Sequence, residues 1–134
     1  MAGVTVTVND GVLTRAAQLA FRRAVQELEA ALPGAHERDV YTWDQQTRRA
    51  NGDTVGSPRD VVDRGTLRDS QQPAQYAGPF AARIDWTAEY AAATYLGAVF
   101  KTRKDTRPPR NVPRDTLTRL PLHELFQKHL AALL

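Results

Sequence analysis

An alanine-rich stripe near the start of the chain constrains the fold more than any other feature. From Leu13 to Leu32, apolar side chains recur three or four positions apart, while charged and amide side chains fall mostly on other faces. This spacing predicts an amphipathic helix that the Asn9–Asp10 pair caps and that Pro33-Gly34 ends. A helix of about 20 residues is roughly 30 Å long and can cross a small sheet. We therefore expect the stripe to be core, with a helix–helix contact between subunits as the alternative.

Shorter patterns predict strands on both sides of this helix. Val4–Val8 alternates β-branched residues, and residues 39–43 are rich in β-branched and aromatic side chains. Further along, Leu67–Tyr76 and the alternating segment Phe80–Trp86 predict a hairpin around the turn at 77–79. Proline cannot donate a backbone hydrogen bond, so the one within 67–76 places that strand at a sheet edge.

Helices are predicted again in the C-terminal half. Glu89–Leu96 is alanine-rich and ends at Gly97, which is suited to a left-handed cap. Pro113 fits the first turn of a helix that runs towards Arg119. A last helix begins at Pro121, and its apolar stripe comprises Leu122, Leu125, Phe126, Leu130 and Leu133. The chain is thus expected to be one α+β domain, residues 1–134, with a small, mainly antiparallel sheet packed against the N-terminal and C-terminal helices.

Two polar segments are predicted to be loops. Residues 44–60 contain almost no apolar side chains and include the turn signals Asn51-Gly52 and Ser57-Pro58. We expect this loop to be mobile in the isolated protein and to become ordered on a partner. Residues 101–114 form the second loop, stiffened by two adjacent prolines. Between the two loops, Gly65 is expected to adopt a positive φ in a tight turn.

Positive charge is concentrated in the second loop, although the net charge of the whole chain is only +3. Only Asp105 opposes the six basic residues of this segment, which are Lys101, Arg103, Lys104, Arg107, Arg110 and Arg114. Such a segment can attract a phosphate backbone, or it can simply be a solvated basic loop.

Several kinds of chemistry are not expected. The chain has no cysteine, which excludes disulfides and thiolate ligands. His123 and His129 are six positions apart, which on a helix separates them by about 240°, so they cannot ligate one metal as an i, i+4 pair does. No glycine-rich phosphate loop or nucleophile elbow is present, and no apolar run reaches the roughly 20 residues that span a bilayer. We therefore expect neither an enzyme, nor a cofactor, nor a membrane protein.

Individual polar and aromatic residues also have structural interpretations. The aspartates at 60, 63 and 69 each have a neighbouring arginine, at 59, 64 and 68, which indicates local ion pairs. Trp86 is expected to anchor the core. Tyr90 and Tyr95 are interpreted as packed aromatic rings with surface hydroxyl groups rather than as acid–base catalysts.

The central motifs resemble a family of bacteriophage neck and tail-completion proteins, the tail-component type of lambdoid siphophages. The resemblance covers roughly residues 40 to 117. It rests first on Val62-Asp63-x-Gly65-x-Leu67-Arg68-x-Ser70, and then, in the order of the family, on Ile84-x-Trp86 with Tyr90-Ala91, Leu96-Gly97 and Pro109-Arg110. The segment Arg48-Arg49-x-Asn51-Gly52 that leads to Ser57-Pro58-Arg59 is similar to cyanophage-like members. Arg64 and Tyr95 depart from the pattern, which more often has threonine and histidine there.

The resemblance implies a structural subunit of the virion neck, made in the host cytoplasm and assembled at the head–tail junction. It implies a ring of six or twelve copies that joins the portal or connector to the tail or its terminator protein. Neighbouring neck proteins, or DNA crossing the lumen, would contact the two polar loops. The residues expected at these contacts are Arg48, Arg49, Arg59, Lys101, Arg103, Lys104, Arg107 and Arg110, while Asp63, Gly65, Leu67, Trp86, Tyr90 and Gly97 form the structural motif. The alternative is a small nucleic-acid-binding protein that uses the basic 101–114 segment.

Overall fold

The computed structural model describes residues 3–4, 10–41, 47–49, 51–62, 65–99, 106–107 and 109–134. Over these residues the chain is α+β, which confirms the predicted class. Its helices are α1 (Asp10–His36), α2 (Thr66–Asp69), α3 (Ala91–Leu96), α4 (Val112–Arg119) and α5 (Leu122–Leu133). The strands form three antiparallel pairs, β1 (Thr47–Arg48) with β2 (Thr54–Val55), β3 (Gln75–Tyr76) with β4 (Ala82–Arg83), and β5 (Ala98–Val99) with β6 (Thr106–Arg107).

The predicted stripe of α1 packs mainly against the two C-terminal helices. Ala24, Leu28 and Leu32 of α1 form a buried cluster with Leu125 of α5. Ile84, Trp86, Leu120, Leu122 and Phe126 pack around this cluster. The apolar stripe of α5 is therefore confirmed as a core-facing surface, and its burial against α1 is the main hydrophobic contact between the two ends of the chain.

A second cluster gathers buried residues from four helices around the end of α1. Its buried members are Ala35, Leu67, Ala91, Tyr95 and Val112, and Tyr41, Val61, Trp86 and Ala88 pack against it. Trp86 contacts both clusters, so the prediction that it anchors the core is confirmed.

The predicted end of α1 at Pro33-Gly34 is wrong, because the helix continues to His36 with Pro33 inside it. Proline has no N–H, so the carbonyl of Glu29 loses its helical donor. The side chain of Gln71 replaces that donor, with its Nε2 3.0 Å from the Glu29 oxygen. The Glu29 carboxylate also accepts a hydrogen bond from the backbone N–H of Ala74 at 2.5 Å. Contacts that are distant in sequence therefore compensate for a local helix breaker.

The predicted strand over Leu67–Tyr76 is largely wrong. Residues 66–69 form the short helix α2, and only Gln75–Tyr76 is a strand. Gly65 has a φ of 83°, as expected, and its carbonyl accepts a hydrogen bond from the N–H of Asp69 at 2.8 Å. The positive φ disfavours any other residue at this position, and a Cβ atom there would also require the end of the Arg68 side chain, 2.7 Å away, to move.

The predicted hairpin exists, but its ladder is short. Strand β4 covers only Ala82–Arg83, and a single bridge between Gln71 and Trp86 continues the pairing. The helix predicted over 89–96 is confirmed as α3. Gly97 has a positive φ of 82°, but its ψ of 167° is extended rather than left-handed helical, a region that essentially only glycine occupies.

The two segments predicted to be loops contain regular structure. Within 44–60, strands β1 and β2 pair around Asn51-Gly52, so the prediction of an irregular loop is wrong there, while its mobility stays a prediction. The 101–114 segment includes strand β6 and the start of α4. Asn111 caps α4 by accepting a hydrogen bond from the N–H of Arg114 at 3.0 Å. The helix starts predicted from Pro113 and Pro121 are confirmed.

Some predictions at the N-terminus and near residue 40 lie partly outside the described residues. Of the strand predicted over 4–8, only residue 4 is described, and the proposed cap at residue 9 is not. Of residues 39–43, Tyr41 forms a single antiparallel bridge with Arg59. In the described part of the chain, no helix is long and apolar enough to cross a membrane.

We predict that replacing Gln71 with leucine lowers the free energy of unfolding by about 1 kcal/mol, because the carbonyl of Glu29 loses its donor. The buried Oε1 of Gln71 has no partner among the described residues, so its removal offsets part of the cost. Gln72→Leu is the control, since its Nε2 only contacts the nearby carbonyl of Ser70. Urea unfolding measures both.

A second replacement separates this explanation from a simple packing defect. Pro33→Ala restores an N–H that can reach the carbonyl of Glu29. It should therefore stabilise the Gln71→Leu variant about 1 kcal/mol more than it stabilises the wild type. Equal effects in the two backgrounds would show that Gln71 does not substitute for the missing donor.

Candidate functional site

Three rings meet at the C-terminal end of α1. His36 is fully buried there, with its ring centroid 5.9 Å from that of Tyr95 and 6.1 Å from that of Trp86. The rings of Trp86 and Tyr95 are 5.4 Å apart in an edge-on arrangement. We call His36, Trp86 and Tyr95 the ring cluster. It joins α1, the 71–86 hairpin and α3 at one point.

Hydrogen bonding fixes the protonation of His36. Its Nδ1 lies 2.7 Å from the carbonyl oxygen of Leu32, which can only accept, so Nδ1 carries the proton. In the neutral ring Nε2 is then an acceptor, and the hydroxyl group of Tyr95 donates to it at 2.6 Å. Both nitrogen atoms of the neutral imidazole are satisfied without solvent.

Burial determines the acid–base properties of this pair. Burial lowers the pKa of His36 below its ordinary value of 6.5, and the nearby Arg68 lowers it further, against opposing effects of the Leu32 hydrogen bond and Glu37. Burial also raises the pKa of Tyr95 well above its ordinary value of 10. The pair is therefore neutral at pH 7 and buried within the fold.

A cleft opens on the other side of the same region. It has a volume of about 390 Å³. Its lining residues are Ala35, Arg38, Val40, Tyr41, Pro109, Arg110, Asp115, Thr116 and Arg119. We call it the arginine cleft, because three arginines and one carboxylate are among its described lining residues.

Tyr41 and Asp115 form the polar wall of the arginine cleft. The hydroxyl group of Tyr41 donates to Oδ2 of Asp115 at 3.0 Å, while Oδ1 of Asp115 lies 3.6 Å from Nε of Arg114. Burial and the Asp115 carboxylate raise the pKa of Tyr41 to about 12, against the opposing charges of Arg38 and Arg119. Tyr41 is therefore protonated at pH 7 and orients the carboxylate.

Two of the predicted contact arginines take part in contacts within the chain. The guanidinium group of Arg49 donates to the carbonyl of Val62 and to Oδ1 of Asp60, the latter at 2.9 Å. Arg59 is 6% exposed and donates to the carbonyl oxygens of Asp60 and Val62 at 3.0 and 2.9 Å. These bonds fold residues 49–62 back on themselves. A contact between either arginine and a partner stays a prediction.

The other predicted contact residues are spread between the described and undescribed parts of the chain. Arg110 is 9% exposed and lines the arginine cleft, and its N–H donates to the carbonyl of Thr94 at 2.8 Å. Arg48 and Arg107 lie on β1 and β6, where only the backbone is described. Lys101, Arg103 and Lys104 lie outside the described residues, as does Asp63 of the structural motif.

The described motif residues divide into an inner and an outer group. Leu67 and Trp86 pack in the core beneath the hairpin. Tyr90 is 44% exposed at the start of α3, so its interpretation as a packed ring with a surface hydroxyl group holds only in part. Tyr95 differs from its prediction, because its hydroxyl group is buried against His36 rather than at the surface.

Several of the other titratable groups form ion pairs with one another. His129 and Lys128 of α5 contact the two carboxylate oxygens of Glu27 at 2.7 and 2.6 Å. The predicted pair of Arg68 with Asp69 is present at 2.8 Å, and that of Arg59 with Asp60 is looser at 3.7 Å. Over the described ranges, no group of three histidine, aspartate or glutamate side chains could hold a metal ion.

Sequence reasoning missed both the ring cluster and the arginine cleft. His36 follows Pro33-Gly34, where the helix is predicted to end, so the predicted stripe does not include it. Arg38 and Arg119 are 81 positions apart in the chain. A signal was present for His36, since Leu28, Leu32 and His36 continue the four-residue spacing of the stripe.

Comparison with known proteins adds no relative to this description. No family model, curated protein or solved structure matches the chain.

We predict that Tyr95→Phe lowers the free energy of unfolding by about 1–3 kcal/mol, because Nε2 of His36 is then left buried without a donor. Tyr90→Phe, which removes a hydroxyl group from an exposed residue at the opposite end of α3, should change it by less than about 0.5 kcal/mol. Chemical denaturation at pH 7 compares the two variants. Equal losses would contradict the bond assigned to Tyr95.

The lowered pKa of His36 predicts a dependence of stability on pH. Between the lowered pKa and the ordinary value of 6.5, the unfolded chain binds a proton that the folded chain does not, so stability rises with pH. The contribution is complete above pH 6.5 and is lost as the pH falls towards the lowered pKa. Glu27 and Asp69 lose their contributions only below their ordinary values of 4.5 and 3.8.

The difference between the denaturation curves of the wild type and of His36→Gln, from pH 7 to pH 5, therefore isolates the effect of His36. The wild type should lose stability over this range, and His36→Gln should lose distinctly less from its lower starting value. His123→Gln removes an exposed imidazole from α5 and should behave like the wild type. Parallel losses in wild type and His36→Gln would assign the pH dependence to another group.

Proposed function

We propose that this protein is a structural subunit of a bacteriophage head–tail connector, a neck or tail-completion ring that joins the portal or connector to the tail. The order and spacing of the motifs between residues 48 and 110 support this proposal. They include Asp63-x-Gly65-x-Leu67, Ile84-x-Trp86 and Leu96-Gly97. In this proposal the chain acts by presenting complementary surfaces rather than by catalysis.

One structural observation carries the proposal furthest. The 65–97 segment is anchored on α1 by buried Leu67 and Tyr95, yet it holds large apolar side chains in solvent. Phe80, Tyr90 and Leu96 are 51%, 44% and 71% exposed. Exposed apolar side chains on a segment that is anchored in the core suit a surface that a protein partner covers.

The short hairpins are a second feature that suits assembly. Each described sheet has two strands, so both strands are edges with backbone groups available for pairing. A copy that adds a strand to such an edge repeats the same contact around an axis. A heterologous contact of this kind gives a closed ring when the rotation closes.

Cryo-electron microscopy of intact particles tests the proposal directly. The chain should occupy a ring of six or twelve copies between the portal and the tail. Density for the 65–97 segment should lie against a neighbouring subunit. Finding the chain only in infected-cell extract or inside the capsid, and never at the neck, would refute the placement.

We predict that Leu96→Gln reduces the yield of tailed particles, because it removes an apolar contact worth roughly 2 kcal/mol at every repeat of the interface. The stability of the isolated chain should change by less than about 0.5 kcal/mol, since this side chain is exposed. Complementation of a phage that lacks the gene, scored by negative-stain microscopy, measures the yield.

Leu134→Gln is the matched control, because Leu134 is also 71% exposed but lies outside the 65–97 segment. It should leave the yield of tailed particles unchanged. If both variants lower the yield equally, the defect comes from a general loss of apolar surface. If Leu96→Gln gives a normal yield, Leu96 is not part of the interface.

A further inference from the structure

The arginine cleft brings together three cations from distant parts of the chain. Arg38 follows the end of α1, Arg110 precedes α4, and Arg119 ends α4. Arg110 is 9% exposed, whereas Arg38 and Arg119 are exposed at the mouth. Among the described residues, no carboxylate lies within 4.0 Å of the guanidinium group of Arg38 or Arg119.

Among the described residues, Asp115 is the one carboxylate that lines the cleft, and it forms no ion pair with Arg38 or Arg119. Asp115 already accepts the hydroxyl group of Tyr41 and lies 3.6 Å from Arg114, which is a fourth cation beside the cleft. The region therefore carries an excess of positive charge. A guanidinium group offers its N–H donors in a planar fork that matches the two oxygens of a carboxylate or of a phosphate.

The shape and lining of the cleft favour one anionic group over a polyanion. A nucleic-acid backbone carries closely spaced charges and binds to a row of cations, whereas these three converge on one recess. The fixed charge of Asp115 on the wall opposes a second anion. Val40, which is 51% exposed, and Pro109 provide apolar contacts beside the arginines, a combination typical of protein–protein contacts.

We propose that the arginine cleft binds a carboxylate side chain from an acidic segment of a partner protein. Arg38 and Arg119 hold the carboxylate at the mouth, and Val40 contacts the neighbouring part of the segment. This inference rests on the proposed function only in making the partner a neighbouring neck subunit.

Fluorescence anisotropy of the purified protein tests the site. The probe is a short fluorescein-labelled peptide of alternating glutamate and alanine, and the same peptide with glutamine in place of glutamate is the probe control. The glutamate peptide should bind at low salt and the glutamine peptide should not. The double variant Arg38→Gln/Arg119→Gln should bind the glutamate peptide roughly tenfold more weakly, since it loses two ion pairs at a surface.

Two further variants separate this site from general attraction. Arg15→Gln/Arg23→Gln removes the same charge from exposed positions of α1 and should bind the peptide like the wild type. Asp115→Asn keeps an acceptor for Tyr41 but removes the opposing charge, so it should bind more tightly. An equal loss of binding in the two double variants, or weaker binding by Asp115→Asn, would overturn the site.

Inorganic phosphate and a short DNA duplex, titrated in place of the peptide, test the class of ligand. Binding of phosphate or duplex that depends on Arg38 and Arg119, without binding of the glutamate peptide, would overturn the assignment to a protein carboxylate. So would the absence of binding by every probe. Peptide binding with no ring at the neck would instead refute the placement in the neck and leave the site standing.

Discussion

The hydrogen bond between His36 and Tyr95 is the contact on which the rest of the structure depends. It joins the end of α1 to α3 across 59 positions of sequence, and Trp86 packs against both rings. Because Leu32 holds the proton on Nδ1, Nε2 can only accept, and the hydroxyl group of Tyr95 is the partner that satisfies it. The bond is specific in chemistry and in direction, unlike the apolar contacts around it. It therefore sets how the hairpin and α3 sit on the long helix.

The arginines of this chain serve different purposes although they look alike in sequence. Arg49 and Arg59 fold a polar segment back on itself through carbonyl groups and Asp60. Arg38 and Arg119, in contrast, lie at the mouth of a recess and are joined only by the fold. In the sequence, positive charge is most concentrated in residues 101–114. In the folded chain, arginines that are far apart in sequence lie together in the arginine cleft.

Periodic and steric signals made part of this architecture predictable. The stripe of α1, the helix starts at Pro113 and Pro121, and the positive φ of Gly65 all follow from local chemistry. The end of α1 did not, because the donor that replaces the N–H missing at Pro33 comes from Gln71. The strand predicted from residue 67 was wrong for a different reason, because the turn at Gly65 continues directly into the helical turn α2. The cleft depends on residues far apart in sequence, so no local pattern could reveal it.

The proline inside α1 has a consequence for how the chain becomes structured. The final turn of the helix carries His36, yet its backbone is completed by an amide group that arrives about forty positions later in synthesis. The helix up to Glu29 can form from its own sequence, whereas its last turn lacks a hydrogen-bond donor until Gln71 is in place. The last turn of the helix and the ring cluster therefore depend on the same later segment, and a chain cut before the hairpin would lack both the Gln71 donor and the Trp86 and Tyr95 rings that surround His36.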